Sequence, residues 1–475
     1  MSAPTNSRPS FQKLLGTIAL AALVIRGYAA VSARERWGED RDLYLSIARQ
    51  ILAGEGFSRP LVWVTSSEAH GEGLLNGVEW WLVPEPGAVP VCRIQARAED
   101  GSPKPGRTSY PTAYRPPLYP CVVAVVMRLA GGVWGVIVYQ VLCGVLTVVL
   151  VSLAAKRSGL GDFSLVAGLL VAVDPLLVSY TSQVMTETTA AGLVGFLLWS
   201  ISLSPKPWRP LAGGVSLGLC ALCRPTFLAA GLVWGVLWWL SNLWGNRRSG
   251  VRVLLIVPCA MALMVAPWTI RNRRVLGDWV STTTHGGYTL RLAHNAMYDA
   301  WLSGDRRDSF NGEHFARSVA PLVEITALEH FERAVDSAHS AAAWAHISEH
   351  PVEACNSAFS LWKRFWGPIP ESQRDAALWL RWGLVIHWLV VGLAAMAGLW
   401  GISGEMRSSL ALLSVALLGS FTAVHAFYWA DARMRAPLIP VLALLSASGA
   451  RWIFRWITGS EINQTCQSDG ERSAE

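Results

Sequence analysis

The sequence predicts an all-α polytopic membrane protein, with about ten transmembrane helices and two large external loops. Three observations carry that reading. Of the 475 residues, 52% are hydrophobic and 15% charged, with a mean hydropathy of +0.34. Soluble chains carry about 25% charged residues, so a soluble enzyme, a disordered chain and a coiled coil are excluded. Apolar runs of span length recur along the chain, and the basic clusters between them fall on alternate turns. Ten spans of ~20 residues use roughly 200 residues, so more than half the chain is left for loops and a bare helical channel is excluded.

The first apolar run is 14–32, after Arg8 and Lys13. Val31-Ser32-Ala33 resembles a signal-peptidase site. Arg26 interrupts the run, however, and an uncleaved first span with a cytoplasmic N-terminus is expected. Further runs lie near 133–155, 161–178, 188–203, 211–223, 226–244, 251–268, 378–402, 408–428 and 434–455. The run at 117–131, opened by Pro116-Pro117-Leu118-Tyr119-Pro120, is short for a span. If it lies in the interface, Lys156-Arg157, Lys206/Arg209, Arg247-Arg248-Arg252, Arg407 and Arg451/Arg455 all fall on the cytoplasmic side. If it spans, those groups flip outward up to the next ambiguous run. Ten spans with both termini inside are therefore expected.

This divides the chain into four parts. Residues 1–268 form an N-terminal transmembrane module that includes an external loop at 33–132. Residues 269–377 form a second external, largely helical segment, 378–456 the C-terminal transmembrane helices, and 457–475 a disordered cytoplasmic tail. Within the first loop, 58–112 is rich in Gly and Pro, carries Trp80-Trp81, and reads as irregular or short-stranded. From about 312 to 364 the second segment is polar with helical periodicity, and no internal repeat is evident.

The net charge of +7 is spread along the chain, which sets nucleic-acid binding aside. Only five of the 40 basic residues are Lys, a bias that suggests a GC-rich, prokaryotic genome. The eight Cys show no disulfide framework: Cys143, Cys220, Cys223 and Cys259 lie in apolar runs. Cys220–Cys223 is a CxxC inside a span with no second pair, so a redox or zinc role is set aside. Cys92 and Cys355 fall in the two longest polar segments, and their pairing is left open.

Five polar groups fall on the outer side of this topology. Gly38-Glu39-Asp40-Arg41-Asp42-Leu43-Tyr44 precedes a helical face made by Tyr44, Ala48 and Leu52. Asp40 stands one turn before that helix, where it is either an N-cap or a working carboxylate. Ser182-Gln183-Val184-Met185-Thr186-Glu187-Thr188 follows Asp174-Pro175 and puts Glu187 at the membrane boundary. An ionisable group there is a functional candidate, with a helix cap as the plain alternative. The others are Tyr114-Arg115-Pro116-Pro117, Ala266-Pro267-Trp268-Thr269-Ile270-Arg271-Asn272 with Thr282-Thr283-Thr284-His285-Gly286-Gly287-Tyr288 and Asn295, and Tyr428 through Pro437 with Asp431, Arg433 and Arg435. Carboxylates suit general-base work or metal binding, and Arg at a boundary suits phosphate. Snorkelling to lipid headgroups is the alternative for each Arg.

Asp40…Tyr44…Ala48…Gly54-Glu55-Gly56-Phe57, Tyr114-Arg115-Pro116-Pro117-Leu118-Tyr119-Pro120, Thr186-Glu187-Thr188, Cys223-Arg224-Pro225, Pro267-Trp268-Thr269-Ile270-Arg271-Asn272, Gly286-Gly287-Tyr288 and Asp431-Ala432-Arg433-Met434-Arg435-Ala436-Pro437 stand in an order that resembles the GT-C membrane glycosyltransferases. The likeness covers about residues 14–456 and points to the bacterial relatives of protein O-mannosyltransferases and of the lipid A aminoarabinose transferase. It implies the GT-C fold and an inverting transfer of a hexose or pentose from a polyprenyl-phosphate-sugar donor. The acceptor, a protein, lipid or glycan, is left open, and the site is placed on the external face of a cell (inner) membrane.

By resemblance the acidic residue of the first loop is Asp40, the proton acceptor, and that of the second loop is Glu187, which orients the acceptor or assists a divalent ion. The familiar Asp-Glu pair reads Glu39-Asp40 here, so which carboxylate is the base stays open. Tyr44, Arg115, Arg271, Asn272, Arg433 and Arg435 are expected to bind substrate, with Arg271 and Arg433 or Arg435 on the phosphate. Some relatives use a divalent metal; no His/Asp/Glu spacing here forces one. The rival functions are a polyprenyl-lipid or polysaccharide transporter without transferase activity, and a membrane-anchored structural or sensor protein. Transporters usually show internal repeats and midplane polar residues, neither of which is visible.

Overall fold

A computed structural model describes residues 10–60, 72–75, 78–83, 91–96, 109–242, 247–304, 331–370, 376–401 and 409–458. The expected disordered tail beyond 458, Arg407, the polar stretch 312–330 and the side chain of Cys92 lie outside the described residues.

The first apolar run is helix α1 (Phe11–Ser32), and α2 (Tyr44–Leu52) follows it. The Gly- and Pro-rich part of the first loop carries short strands: β1 (Ser58–Pro60), β2 (Glu72–Leu75), β3 (Val78–Val83), β4 (Val91–Ala96) and β5 (Ser109–Pro111). β1 pairs antiparallel with β5, and β2-β3-β4 form an antiparallel sheet between them. The 117–131 run is α3 (Leu118–Ala130). Its 13 residues reach ~20 Å, short of a ~30 Å hydrocarbon core. Gly131, at φ 78°, ends it and turns the chain into α4 (Val133–Ala155).

The bundle continues through α5 (Ser164–Val173), α6 (Pro175–Tyr180), α7 (Thr186–Leu203), α8 (Arg209–Cys223), α9 (Phe227–Ser241) and α10 (Arg247–Leu276). Within 269–377 stand α11 (Gly286–Ala293), α12 (Ala296–Ser303), α13 (Phe331–Glu349) and α14 (Pro351–Trp366). The chain then forms α15 (Leu378–Gly401), α16 (Ser409–Phe427), a 3₁₀ turn over Ala432–Leu438 and α17 (Ile439–Thr458). Among the described residues, six stretches are long and apolar enough to cross a membrane: Phe11–Ser32, Val133–Val173, Gly250–Leu276, Leu378–Leu399, Leu410–Phe427 and Ala432–Thr458. α3, α8 and α9 are apolar but shorter. The protein is thus a multi-pass, all-α membrane protein, and it turns large apolar side chains such as Leu263, Trp379 and Met396 outward, as a lipid solvent requires.

Small residues allow the closest helix contact. A Cβ on Gly398 of α15 would fall 2.0 Å from the Leu445 carbonyl of α17, and one on Gly449 would fall 2.0 Å from the Ala394 carbonyl. The two backbones pack directly on each other there. Cys220 and Cys223 are free and buried in α8.

Arg26, the charge that interrupts the first apolar run, is fully buried. Its use follows from the break between α5 and α6. Pro175 has no N–H to give the Val171 carbonyl four residues before it, so that carbonyl is orphaned inside an apolar bundle. Arg26 donates from Nη2 to the Val171 carbonyl at 2.9 Å, and from Nη1 to the Leu177 carbonyl at 2.9 Å and Thr181 Oγ1 at 2.8 Å. One guanidinium fork thus bridges both sides of the break, and α1 packs as part of the bundle.

Arg26→Leu should therefore lower stability in detergent by at least about 1–3 kcal/mol, the cost of an unsatisfied buried carbonyl. Arg26→Lys should recover little, because one ammonium cannot span acceptors on both sides. Thermal unfolding of the purified variants checks this, and an unchanged midpoint for Arg26→Leu would refute the bridging role.

Candidate active site

Two carboxylates two residues apart have different duties. Asp40 accepts hydrogen bonds from the backbone N–H groups of Leu45 at 3.0 Å and Ser46 at 2.7 Å, so both its oxygens cap α2. Asp42 does not cap. Between Asp42 and Tyr44, Leu43 sits at φ 64°, ψ 16°, the sole non-glycine at positive φ among the described residues. That conformation costs a non-glycine residue on the order of 1–3 kcal/mol, and burial of the Leu43 side chain offsets it.

Asp42 instead meets Arg115, whose Nη2 lies 2.8 Å from Oδ1 and whose Nε donates to the Asp42 carbonyl at 2.9 Å. On its other oxygen Asp42 faces Arg433 Nη1 at 3.4 Å. Arg433 Nη1 also stands 3.8 Å from Glu187, and its Nε 3.9 Å from Asp431. Glu187, fully buried in the first turn of α7, pairs with Arg224 at 2.8 Å. Arg224 also donates from Nε to Thr186 Oγ1 at 3.0 Å. The α1–α2 connection, the approach to α3, the start of α7, the end of α8 and the turn before α17 thereby meet in one charged cluster. It opens to solvent most at Arg433, whose side chain is 26% exposed. Tyr44 lines it, edge-on to Tyr119 at 5.0 Å, with the Arg115 guanidinium 5.5 Å from its ring centre.

Burial pushes the pKa of Asp42 up, but the Arg115 and Arg433 guanidiniums outweigh burial and bring it from 3.8 down to about 2. Burial, reinforced by Arg115, holds His285 well below the usual imidazole value, so it is neutral near pH 7.

Of the residues chosen from sequence, the structure brings together Tyr44, Arg115, Glu187 and Arg433. The others serve elsewhere. Asp40 caps α2. Arg271 donates from Nη1 to the Thr112 carbonyl at 2.8 Å and from Nη2 to the Phe57 carbonyl at 2.6 Å, which ties α10 to the first loop. Asn272 is buried and holds the Val280 carbonyl at 2.9 Å. Arg435 donates to the Phe365 carbonyl at 2.7 Å and to that of Gly367, under Trp388. Sequence reasoning named Asp42 and Arg224 within their motifs but chose neither for the site. The signal for Arg224 was present: Glu187, at a membrane boundary, requires a cation at its own depth, and Arg224 ends the next apolar run.

The donor set does not fit a divalent cation. Asp42 and Glu187 both face guanidiniums, and no group of three or more His, Cys, Asp or Glu among the described residues could hold a metal.

No protein-family model matches the sequence, and no curated protein matches it. Solved structures do share its fold. The oligosaccharyltransferase of Archaeoglobus fulgidus in the apo form matches 92% of this chain and 50% of its own, at 12% identity and a TM-score of 0.50. The AglB oligosaccharyltransferase of the same organism, in complex with an inhibitory peptide and a dolichol-phosphate, matches 96% of this chain and 52% of its own, at 12% identity and a TM-score of 0.51. The chain spans about half the length of these archaeal structures. ArnT from Cupriavidus metallidurans bound to undecaprenyl phosphate matches 93% of this chain at 16% identity, with a TM-score of 0.35, too low to establish a shared fold.

Two outcomes follow from the cluster's electrostatics. Arg224→Met strands Glu187 without its nearest cation and should cost about 3–5 kcal/mol, whereas adding Glu187→Gln should restore most of it. Additive losses in that double-mutant cycle would show that the pair is not coupled. Asp42, with its pKa depressed in the folded state, adds stability above pH 3.8 that is lost as pH falls through about 2. Asp42→Asn should therefore flatten unfolding midpoints measured across that window and leave their slope between pH 5 and 8 unchanged.

Proposed function

We propose that the protein is an integral-membrane glycosyltransferase that moves a sugar from a polyprenyl-phosphate donor to a hydroxyl-bearing acceptor at the external face of the membrane. The observation that carries this reading is the bridge of one partly exposed guanidinium, Arg433, between two carboxylates from separate elements, Asp42 and Glu187. The dolichol-phosphate bound by AglB, a protein of the same fold, supports a polyprenyl-phosphate donor.

In this reading Arg433 changes partners. At 3.4 and 3.8 Å it is tight on neither carboxylate. A donor phosphate, anionic and with two oxygens that match the planar guanidinium fork, is a better bidentate partner for it. Once Arg433 turns to the phosphate, Asp42 loses one of the cations that depress its pKa and becomes the more basic. The acceptor oxygen then bonds to the anomeric carbon, the bond from that carbon to the phosphate oxygen breaks, and the acceptor proton passes to Asp42. The phosphate leaves with its new charge on Arg433. A single displacement of this kind inverts the anomeric centre. Glu187, held by Arg224, keeps Arg433 in reach and orients the acceptor. Asp40 acts through the cap of α2, which fixes where Asp42 stands.

Asp42→Asn should cut turnover about 10²–10⁴-fold in membranes given labelled polyprenyl-phosphate sugars, and Asp40→Asn should cost less and show mainly as lower stability. The opposite ranking would return the base to Asp40, and if neither substitution matters the transferase reading falls. Arg433→Lys should lose activity despite keeping its charge, since an ammonium cannot make the fork. Labelling of single cysteines placed at Asn246 and Ser309 tests the face: Ser309 should react from outside and Asn246 only after the membrane is opened.

A further inference from the structure

The Thr282–Tyr288 segment stands out in the sequence, yet the charge cluster makes no use of it. It docks against the first loop beside Asp42. Thr284 N donates to the Ala113 carbonyl at 3.0 Å, and Thr283 Oγ1 donates to the Tyr114 carbonyl at 2.5 Å. Glu332 of α13 clamps both strands of this contact, accepting from Ala113 N at 2.8 Å, from Thr284 Oγ1 at 2.9 Å and from Thr112 Oγ1. Asp336, one turn on, accepts from Gly287 N at 2.6 Å. The approach is so close that a Cβ on Gly287 would fall 2.0 Å from the Asp336 carbonyl.

The clamp sets the Tyr114 and His285 rings against each other, centres 4.4 Å apart, with Tyr288 stacked on His285 at 5.2 Å. Arg115, the partner of Asp42, lies 4.9 Å from the centre of the Tyr114 ring. The wall therefore begins one residue from the proposed base. Tyr114 is 8% and His285 9% exposed. Neither the Tyr114 hydroxyl nor His285 Nδ1 has a hydrogen-bond partner among the described residues. Leaving such groups unpaired in the interior costs about 1–3 kcal/mol each, and here two of them stand on rings in contact, so a ligand that answered both would remove that cost.

Both groups are neutral, and each can donate or accept. That matches sugar hydroxyls, while the arginines suit the phosphate better; aromatic faces likewise suit the C–H face of a sugar ring. We propose that Tyr114 and His285 form a subsite for the transferred sugar of the donor, holding its ring hydroxyls through Tyr114 Oη and His285 Nδ1. This rests on the transferase reading above and assigns the sugar end of the same donor.

The test measures binding by the full-length protein in lipid nanodiscs, without acceptor. The probes are polyprenyl phosphate and the same lipid carrying mannose, glucose or arabinose. The wild type should bind one of the sugar lipids more tightly than the bare lipid. Tyr114→Phe and His285→Ala should each remove about tenfold of that gain, as one lost hydrogen bond of ~1.4 kcal/mol would, and leave bare-lipid affinity unchanged. His285→Asn, whose amide stands where Nδ1 was, should keep most of the gain, and His285→Gln, which mimics the other ring nitrogen, should not. A packing role would not separate Asn from Gln in that order. Equal affinities for all variants would overturn the subsite, and so would a wild type that gains nothing from any of the three sugars. Failure of the transferase reading would show differently, as full turnover in Asp42→Asn with the sugar gain intact.

Discussion

A charge taken into an apolar bundle must be answered at its own depth, because no water is there to do it. Two of this fold's irregular features answer such a charge or an orphaned carbonyl. Arg26 crosses from α1 to both sides of the α5–α6 break. Glu187 draws Arg224 from the end of α8 and brings Arg433 within reach from the turn before α17. Once these meet, the ends of α7 and α8 and that turn are fixed around one point. The α1–α2 connection joins them through Asp42, which both Arg433 and Arg115 engage.

Residues two apart in sequence meet different partners. Asp40 closes the helix end and Asp42 faces the arginines, with the strained Leu43 after them setting the direction. Arg433 stays partly exposed between carboxylates, whereas Arg435 is buried against backbone carbonyls at the end of α14. In each pair one member holds backbone groups and the other faces opposite charge. A substitution at Asp40 or Arg435 thus removes hydrogen bonds to backbone groups next to the cluster.

The loops close the site from the other side through carboxylates of α13. Glu332 and Asp336 sit one turn apart on one helix and bind two segments distant in sequence. The first loop supplies Tyr114 and Arg115, the second supplies His285 and Tyr288, and the clamp holds them as one wall. The Thr282–Tyr288 segment and α13 thus pack against the first loop beside the charged cluster.

The sequence by itself determined the solvent. Sparse charge and recurring apolar runs settled a multi-pass helical protein, and the ordered short motifs pointed to the fold that the archaeal structures share. It also singled out Glu187, Arg115, Tyr44 and Arg433, because ionisable and aromatic groups at span ends have few other reasons to be there. It could not separate Asp40 from Asp42. Both precede the same helix, and the choice turns on a left-handed Leu43, a conformation that only burial makes tolerable and that spacing does not encode. Nor could it rank Arg271 and Arg435 below Arg224, since all three stand at a boundary of an apolar run. Only tertiary contact decided that two of them spend their donors on backbone carbonyls while the third meets a buried carboxylate. Periodicity and composition report the solvent each residue prefers, while the partner a charge finds depends on which helix end arrives beside it.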